Sequence, residues 1–476
     1  MENAPSGRDF VVPSPPTLAT ARSQIHTRLP TTPLSHDEAL VHLDALTAGL
    51  SSSSTSPHYY GFVTGGTTPI ALAADHLVSR HDQNVSVHLP TQSVATDVED
   101  AALRMLIELL DLGSGWEHRT FTTGATASNV LGLACGREAV VKWAGTGREG
   151  ESVAALGLVE AMRRAGVEEV KILTCDEHSS LRKASSVVGL GHGAVIDVGR
   201  DGAGIDLQKL RRELETPGRR CIVSVSCAEV NTGLFATRGK EEMEAVRRAA
   251  DEFGAWVHVD AAFGLMARVL PAGNEFEEVK KGVEGMELAD SIAGDAHKLF
   301  NVPYDCGFFL SKHLAIGTDV FQNPGAPYLA TSVASIPSPL NIGLENSRRF
   351  RAFPVYANMV SLGREGYADM LKRQIRLSRM IAKYMLESEA YELLPVMSGS
   401  CPARLASIYI IVLFRAREDA LNEDLIHRIN DQRRIFCSGT KWKGKSAVRF
   451  AISNWQVDVE RDWLVVRDVL DSAIGK

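Results

Sequence analysis

The chain has 476 residues, of which 45% are hydrophobic and 23% are charged, and these ordinary proportions exclude a wholly disordered or fibrous protein. The 51 basic and 58 acidic residues leave a net charge of −7, which argues against a protein that mainly binds nucleic acid phosphates. No apolar run reaches the roughly 18 residues that a membrane-spanning helix needs, so no membrane association is expected.

The amino-terminal part of the chain, residues 1–75, is predicted to be an arm followed by helices. Residues 1–33 are rich in Pro, Ser and Thr and lack the apolar core of an export signal. Helical periodicity follows at residues 37–49, 68–78 and 98–112. The seven cysteines are scattered and odd in number, which is typical of free thiols in a reducing compartment, so a cytoplasmic location is expected.

Apolar strand-like segments alternate with helical ones across the middle of the chain. The strands are expected at residues 170–174, 221–226, 255–259 and 307–311, and the helices include residues 127–143, 206–215 and 240–253. This alternation predicts a large α/β domain over residues 76–345, with a mostly parallel sheet covered on both faces. A proline-rich stretch at residues 323–344 predicts a long loop. Residues 346–476 are predicted to form a smaller α+β domain, with a strand at residues 406–414.

Two segments resemble nucleotide-binding motifs but stand in the wrong context. Residues 439–446 match the phosphate-loop pattern, yet a strand-like segment follows where a helix is required, so a basic turn between strands is predicted. The glycines at residues 189–194 follow a helix and precede a strand, the reverse of a dinucleotide fingerprint. A phosphate-loop protein stays as an alternative hypothesis. The histidines show no zinc-ligand spacing, so no metal site is predicted.

Lys298 and Asp260 each follow a strand-like segment and suggest a particular chemistry. Lys298 is next to bulky apolar residues, and loss of solvation favours a neutral amine that can form a Schiff base with an aldehyde. Asp260 ends its strand where ligands bind in α/β sheets. Its carboxylate could cap the next helix, or it could hold a proton on a heteroaromatic nitrogen, as pyridoxal phosphate requires.

Two further segments fit the same site. Residues 123–129 lead directly into a helix, where free backbone N–H groups suit either a phosphate or an ordinary helix cap. His178 follows the strand that ends at Thr174, and it is either a capping histidine or a ring stacked on a cofactor. Each signal alone is ambiguous, but their placement after successive strands favours one shared site.

The chain from about Pro57 to its carboxyl terminus resembles the group II pyridoxal-phosphate-dependent decarboxylases, which include the aromatic amino acid, tyrosine and glutamate decarboxylases. The resemblance is carried by Pro57-His-Tyr-Tyr-Gly-Phe62, residues 123–129, His178-Ser-Ser, His258-Val-Asp-Ala-Ala262, His297-Lys298, Ser347-Arg-Arg-Phe-Arg351 and Arg449-Phe-Ala-Ile-Ser453. It implies the fold type I of pyridoxal-phosphate-dependent transferases, similar to aspartate aminotransferase. It also implies a homodimer with the active site at the subunit interface.

The resemblance implies roles for residues around the cofactor ring. Lys298 carries pyridoxal phosphate as a Schiff base and later returns a proton to the substrate carbon. Asp260 pairs with the pyridine nitrogen. His178 stacks on the ring, and Ala262 packs on its opposite face.

It also implies contacts to the phosphate and to the substrate. Ala125 and Thr126 bind the phosphate, mainly through backbone N–H groups, with His297 close by. Phe62 lines the substrate pocket. Arg449 is a candidate for the substrate carboxylate, although the anionic partner that a buried arginine needs can also be structural.

The sequence departs from the family at the mobile loop and at one turn. Residues 329–350 contain no tyrosine, whereas animal and plant members carry one that protonates the substrate carbon, and Tyr328 lies just before this stretch. A turn at residues 228–231 places Glu229 near the cofactor. The predicted reaction is decarboxylation of an L-amino acid, aromatic by analogy, to the amine and carbon dioxide. The alternatives are another reaction on the same cofactor (carbon–carbon lyase or aldolase, aldehyde synthase, aminotransferase) and a catalytically silent regulator.

Overall fold

The computed structural model describes residues 10–146, 151–200, 204–273, 275–323, 336–397 and 399–475, so most of the predicted loop at 323–344, with Tyr328, lies outside the described residues. The helices are α1 (Pro15–Ser23), α2 (His36–Thr47), α3 (Pro69–His81), α4 (Ala95–Leu109), α5 (Ala125–Ala144), α6 (Val153–Leu156), α7 (Leu158–Ala165), α8 (Ser179–Val187), α9 (Leu207–Leu214), α10 (Lys240–Glu252), α11 (Glu277–Lys281), α12 (Ala296–Leu299), α13 (Leu314–Phe321), α14 (Ala352–Glu387), α15 (Cys401–Ala406), α16 (Asp419–Asn430) and α17 (Val459–Ala473). The strands are β1 (Tyr59–Tyr60), β2 (His118–Thr122), β3 (Glu169–Thr174), β4 (Val195–Asp197), β5 (Arg219–Ser226), β6 (Trp256–Asp260), β7 (Ser291–Asp295), β8 (Gly307–Ser311), β9 (Tyr391–Leu394), β10 (Ile411–Ala416), β11 (Phe436–Trp442) and β12 (Lys445–Ala451). Within these ranges, no helix has both the length and the apolar character needed to cross a bilayer.

The larger sheet has seven strands in the order β2-β8-β7-β6-β5-β3-β4. The strands from β7 through β6, β5 and β3 to β4 are parallel, and β8 and β2 extend the sheet with antiparallel pairing. Every residue of β7 and β8 is buried, as expected for strands packed between two layers. The predicted α/β architecture is therefore confirmed, and the four strands expected in the large domain begin and end within two residues of the observed ones.

Helix α5 packs closely against this sheet because two of its glycines leave room for side chains of the strands. A Cβ atom at Gly132 would lie 2.3 Å from His258 Cε1, and one at Gly136 would lie 3.0 Å from Trp256 Cδ1. This close approach places the first turns of α5 against the carboxyl ends of β6 and β7, where Asn129 contacts Asp260.

The smaller sheet has five strands in the order β1-β11-β12-β10-β9. Strand β1 pairs in parallel with β11, and the other pairs are antiparallel. The core of this sheet includes the ring of Phe450, whose centroid lies 5.2 Å from that of Tyr60 and 5.1 Å from that of Phe414. The amino-terminal segment thus contributes a strand to the carboxy-terminal sheet. The predicted domain boundaries at residues 75 and 345 stay predictions.

Two local predictions have different outcomes. The strand expected at residues 406–414 is wrong in position, because residues up to Ala406 form α15 and β10 begins at Ile411. A local cap accounts for this: Ser400 Oγ accepts a hydrogen bond from Ala403 N, and a proline stands at the start of the helix.

The turn expected at residues 439–446 is confirmed, since Lys443 and Gly444 join β11 to β12 with φ angles of 48° and 82°. Positive φ at both positions is typical of a two-residue hairpin.

Candidate active site

A cavity of about 300 Å³ opens where the carboxyl ends of β5, β6 and β7 meet the amino terminus of α5. In α/β sheets this edge is where ligands bind. The cavity is lined by Thr123, Gly124, Ala125, Thr126, Ala127, His178, Ser180, Ser226, Ala228, Val230, Asp260, Ala262, Phe263, Asp295, His297 and Lys298. All the residues expected to contact the cofactor ring or its phosphate therefore line one cavity, while their individual roles stay predictions.

Lys298 presents its amine to the cavity from the short helix α12. Its Nζ lies 2.7 Å from Asp295 Oδ2 and 5.7 Å from the centroid of the Phe263 ring. The backbone is held in place because the N–H groups of Ala296 and His297 both donate to Cys306 O at 3.0 Å. Sequence reasoning placed only apolar neighbours around the amine, whereas the structure adds the carboxylate of Asp295.

Asp260 ends β6 with its carboxylate at the cavity wall. Its Oδ2 accepts a hydrogen bond from Asn129 Nδ2 at 2.8 Å, and its Oδ1 accepts from Ala262 N at 3.3 Å. Burial raises the pKa of Asp260, while the Asn129 hydrogen bond and the positive charge of Lys298 oppose that rise. Oδ1 keeps the capacity to accept a further hydrogen bond from a group within the cavity.

The structure confirms that His178 caps a helix, whereas its stacking on a cofactor ring stays a prediction. It caps α8, with its Nδ1 accepting from Ser180 N at 3.2 Å, and it also lines the cavity. Burial lowers the pKa of His178, which favours the neutral ring. Because Nδ1 accepts a hydrogen bond, the single ring hydrogen lies on Nε2.

The amino terminus of α5 attracts negative charge. Its first-turn N–H groups have no acceptor within the helix, and Ala125 N donates to Asp295 Oδ1 at 2.5 Å. Thr126 lies beside it on the cavity wall. The imidazole of His297 is close, with Nε2 at 3.5 Å from Asp295 Oδ1, and burial lowers the pKa of His297. A carboxylate thus occupies the kind of position in which a phosphate binds.

The structure places the two predicted substrate-binding residues apart from the described cavity-lining set. Arg449 is buried, and it donates from Nη1 to Val230 O at 2.8 Å and from Nη2 to Phe62 O at 2.7 Å. Burial lowers the pKa of Arg449 to about 10. The Phe62 side chain is 68% exposed and its φ is 56°. Arg449 therefore ties the Phe62 turn to the loop that carries Val230, and the substrate roles of both residues stay predictions.

Sequence reasoning missed the roles of three polar residues at this site. Asn129 lies within residues 123–129, which were predicted to bind the phosphate, and no separate role was predicted for it. A buried polar residue one turn into a helix indicates a hydrogen-bonding partner. Asp295 precedes Lys298 by three positions, and the sequence pattern gave it no role. Glu229 closes its own turn by accepting from Asn231 N at 2.7 Å and Thr232 N at 2.8 Å, and burial raises the pKa of Glu229.

Comparison with known proteins gives consistent matches. The family model described as "Pyridoxal-dependent decarboxylase conserved domain" matches residues 19–400. L-2,4-diaminobutyrate decarboxylase of Acinetobacter baumannii is 29% identical over 68% of this chain, and the match spans 65% of that protein, just under two thirds of its length. Tryptophan decarboxylase 1 of Oryza sativa subsp. japonica is 24% identical over 84% of this chain and 77% of that protein.

Solved structures show the same fold. The crystal structure of Oryza sativa TDC with PLP and tryptamine has a TM-score of 0.80 at 19% sequence identity, covering 97% of this chain and 92% of that one. The expected fold type I is thus confirmed. Since the family model spans most of the sequence, the chain belongs to the pyridoxal-dependent decarboxylase family.

Proposed function

We propose that this protein decarboxylates an L-amino acid to the amine and carbon dioxide, using pyridoxal phosphate bound at Lys298. One observation carries the proposal. A lysine amine, a half-buried carboxylate, a neutral imidazole and a helix amino terminus converge on one cavity at the carboxyl ends of parallel strands.

The residues present fit the cofactor. The amino terminus of α5 already holds the carboxylate of Asp295 at Ala125 N, so it accepts negative charge and suits a phosphate. Asp260 offers an acceptor for a ring N–H, and Lys298 offers a primary amine. His178 and Ala262 would hold the two faces of the ring, and the phosphate would contact Thr126.

When bound, pyridoxal phosphate supplies an aldehyde that captures the substrate amine and a ring that accepts the electron pair left as carbon dioxide departs. Asp260 would hold a proton at the ring nitrogen and so strengthen that electron sink. Lys298 Nζ would bind the cofactor before turnover and would deliver a proton to the substrate carbon. Its ion pair with Asp295 keeps a proton-bearing group in the cavity. This role is consistent with the lack of a tyrosine at residues 329–350.

We expect an aromatic L-amino acid as the substrate, in line with the tryptophan decarboxylase relative. The diaminobutyrate decarboxylase relative makes a diamino acid the first alternative to test. The absence of a tyrosine from residues 329–350 favours a second candidate reaction on the same cofactor. That reaction is aldehyde formation, carbon–carbon cleavage or amino transfer.

A homodimer with the active site at the subunit interface is supported by apolar side chains that the single chain leaves exposed. Helix α2 buries none of its residues, and Val41 on it is 72% exposed. Phe62 is also exposed, near the turn that Arg449 anchors. A second copy covering these side chains would complete the substrate pocket. The unpaired cysteines support the proposed cytoplasmic location.

Product mass spectrometry with carbon dioxide detection tests the reaction. The cofactor-loaded protein is incubated with a pool of aromatic, acidic and diamino L-amino acids, with Lys298→Ala as the inactive control. Carbon dioxide together with the matching amine is the expected result. Ammonia with an aldehyde, or a keto acid, would replace decarboxylation with the second candidate. No turnover by a protein that holds the cofactor would point to the silent regulator.

A further inference from the structure

Asn129 lies at the centre of a buried hydrogen-bond network behind the candidate cofactor site. Its side chain is fully buried on α5, and its amide oxygen and both amide hydrogens are directed at residues of β6 and α8. Oδ1 contacts His258 Nε2 at 2.9 Å, while Nδ2 donates to Asp260 Oδ2 at 2.8 Å and to Ser180 Oγ at 3.4 Å. An amide nitrogen has two hydrogens, and both are used here.

The direction of the hydrogen bonds follows from Trp256, which lies at the end of the network away from Asn129. Trp256 Nε1 can only donate, and it does so to Ser291 Oγ at 2.9 Å. The Ser291 hydroxyl hydrogen is then free for His258 Nδ1 at 2.8 Å. Burial lowers the pKa of His258 to about 3, so the ring is neutral and its one hydrogen lies on Nε2. That hydrogen points to Asn129 Oδ1, which leaves the amide nitrogen for Asp260.

The second branch reaches His178, which lines the cavity. Ser180 Oγ accepts from Asn129 and donates its own hydrogen to His178 Nδ1 at 2.7 Å. Ser180 N donates to the same ring nitrogen at 3.2 Å. Both branches therefore leave a histidine with its hydrogen on Nε2, and both pass through one amide.

We propose that Asn129 is a positioning residue that holds Asp260 as a carboxylate and holds His258 and His178 each in a single tautomer. This inference rests on the proposed function. The reverse arrangement would turn the amide oxygen toward Asp260, which would then have to carry a hydrogen. It would also leave the Ser291 hydroxyl without its acceptor on His258. The observed order thus favours a proton on the cofactor ring nitrogen over a proton on Asp260.

The test uses pyridoxal phosphate labelled with ¹⁵N in the ring and bound to the full chain without substrate. The ¹⁵N chemical shift reports whether the proton lies on the ring nitrogen or on the carboxylate. In Asn129→Leu the ratio of ring-protonated to ring-unprotonated forms should fall by about tenfold to a hundredfold, the usual effect of one hydrogen bond to a charged group. His258→Phe, which removes one contact of Asn129, should shift the ratio in the same direction by less.

Matched variants separate positioning from stability. Asn358 is also a buried asparagine, with Nδ2 donating to Phe300 O at 2.6 Å and Oδ1 accepting from Thr68, and it lies outside the network. Asn358→Leu should destabilise the fold and leave the ¹⁵N shift unchanged. If Asn129→Leu does not fold, Ser291→Ala and His258→Phe carry the test, since both act on the same network.

The outcomes distinguish this inference from the proposed function. If the wild-type protein binds no cofactor, or binds it with an unprotonated ring, both the proposed function and the positioning role are overturned. A wild-type protein with the protonated ring, together with an unchanged shift in Asn129→Leu and His258→Phe, would overturn the positioning role alone.

Discussion

Breaking the buried ion pair between Arg348 and Glu99 should destabilise the fold strongly. The two side chains are 2% and 5% exposed. Arg348 also donates from Nε to Val85 O at 3.0 Å and from Nη1 to Phe121 O at 3.3 Å. It therefore joins the segment after the predicted loop to α4 and to the end of β2. Residues 123–129, which are expected to bind the phosphate, follow directly after β2.

Arg348→Met leaves the Glu99 carboxylate buried without its partner, which usually destabilises a protein by about 3–5 kcal/mol. Two backbone carbonyls also lose a donor, so we expect a total loss of about 4–6 kcal/mol in the free energy of unfolding. Burial raises the pKa of Glu99 even beside Arg348, and removing the arginine raises it further. A folded-state pKa above the unfolded value stabilises the folded protein at low pH. That stabilisation is lost as the pH rises, by up to about 1.4 kcal/mol per unit.

Urea unfolding at pH 6 and pH 8, followed by tryptophan fluorescence with the cofactor in excess, measures both effects. The loss in Arg348→Met should be larger at pH 8 than at pH 6. The double variant Arg348→Met with Glu99→Gln should recover most of the loss and remove its pH dependence, because no uncompensated charge remains. A loss below about 1 kcal/mol, or one equal at both pH values, would refute the reasoning.

Four further substitutions test other parts of the structure. Lys298→Ala should abolish covalent attachment of the cofactor, measured as loss of the borohydride-reduced label on the peptide that contains the site. Arg449→Met should lower kcat/KM by roughly 10- to 100-fold. The reason is that the backbone carbonyls of Val230 and Phe62 lose the charged donor that they share. Asp462→Asn should lower the thermal midpoint at pH 7, where the ionised carboxylate is stabilising. The difference should shrink as the pH falls below about 4, because the pKa of Asp462 is lowered by hydrogen bonds that outweigh burial. Gly132→Ala should cost about 1–3 kcal/mol of stability, since its Cβ would overlap the ring of His258.

Each of these predictions has a control and a contrary result. For Lys298→Ala, a label that persists elsewhere in the chain would contradict the Schiff-base assignment. Lys445→Met removes an exposed cation from the same strand as Arg449 and should leave kcat/KM unchanged. A stability difference for Asp462→Asn that persists unchanged at pH 3 would show that the lost charge is irrelevant. Gly136→Ala has more room, 3.0 Å to the nearest atoms, and should cost less than Gly132→Ala.

Much of the fold and of the candidate site followed from local sequence pattern. Parallel strands covered on both faces read as short apolar runs, so β3, β5, β6 and β8 were predictable from composition and length alone. The order of Lys298, Asp260 and His178 after successive strands also predicted a shared site. The physical reason is that the carboxyl ends of parallel strands meet at one edge of a sheet.

Local pattern could not predict contacts made across long stretches of chain. Arg449 binds carbonyl oxygens 219 and 387 positions away, and its partners decided that it anchors loops in this structure. Strand β1 joins a sheet built mainly from the far end of the chain for the same reason.

What the sequence determined by itself is which chemical groups stand at the strand ends: an amine, a carboxylate and an imidazole. Only the tertiary structure decided the state in which those groups are held. Asn129 meets His258 and Asp260 across 129 and 131 positions of chain, and Asp295 reaches Ala125 across 170. Protonation and tautomer depend on such buried neighbours, because a group removed from water is stabilised only by the few donors and acceptors that the fold brings to it.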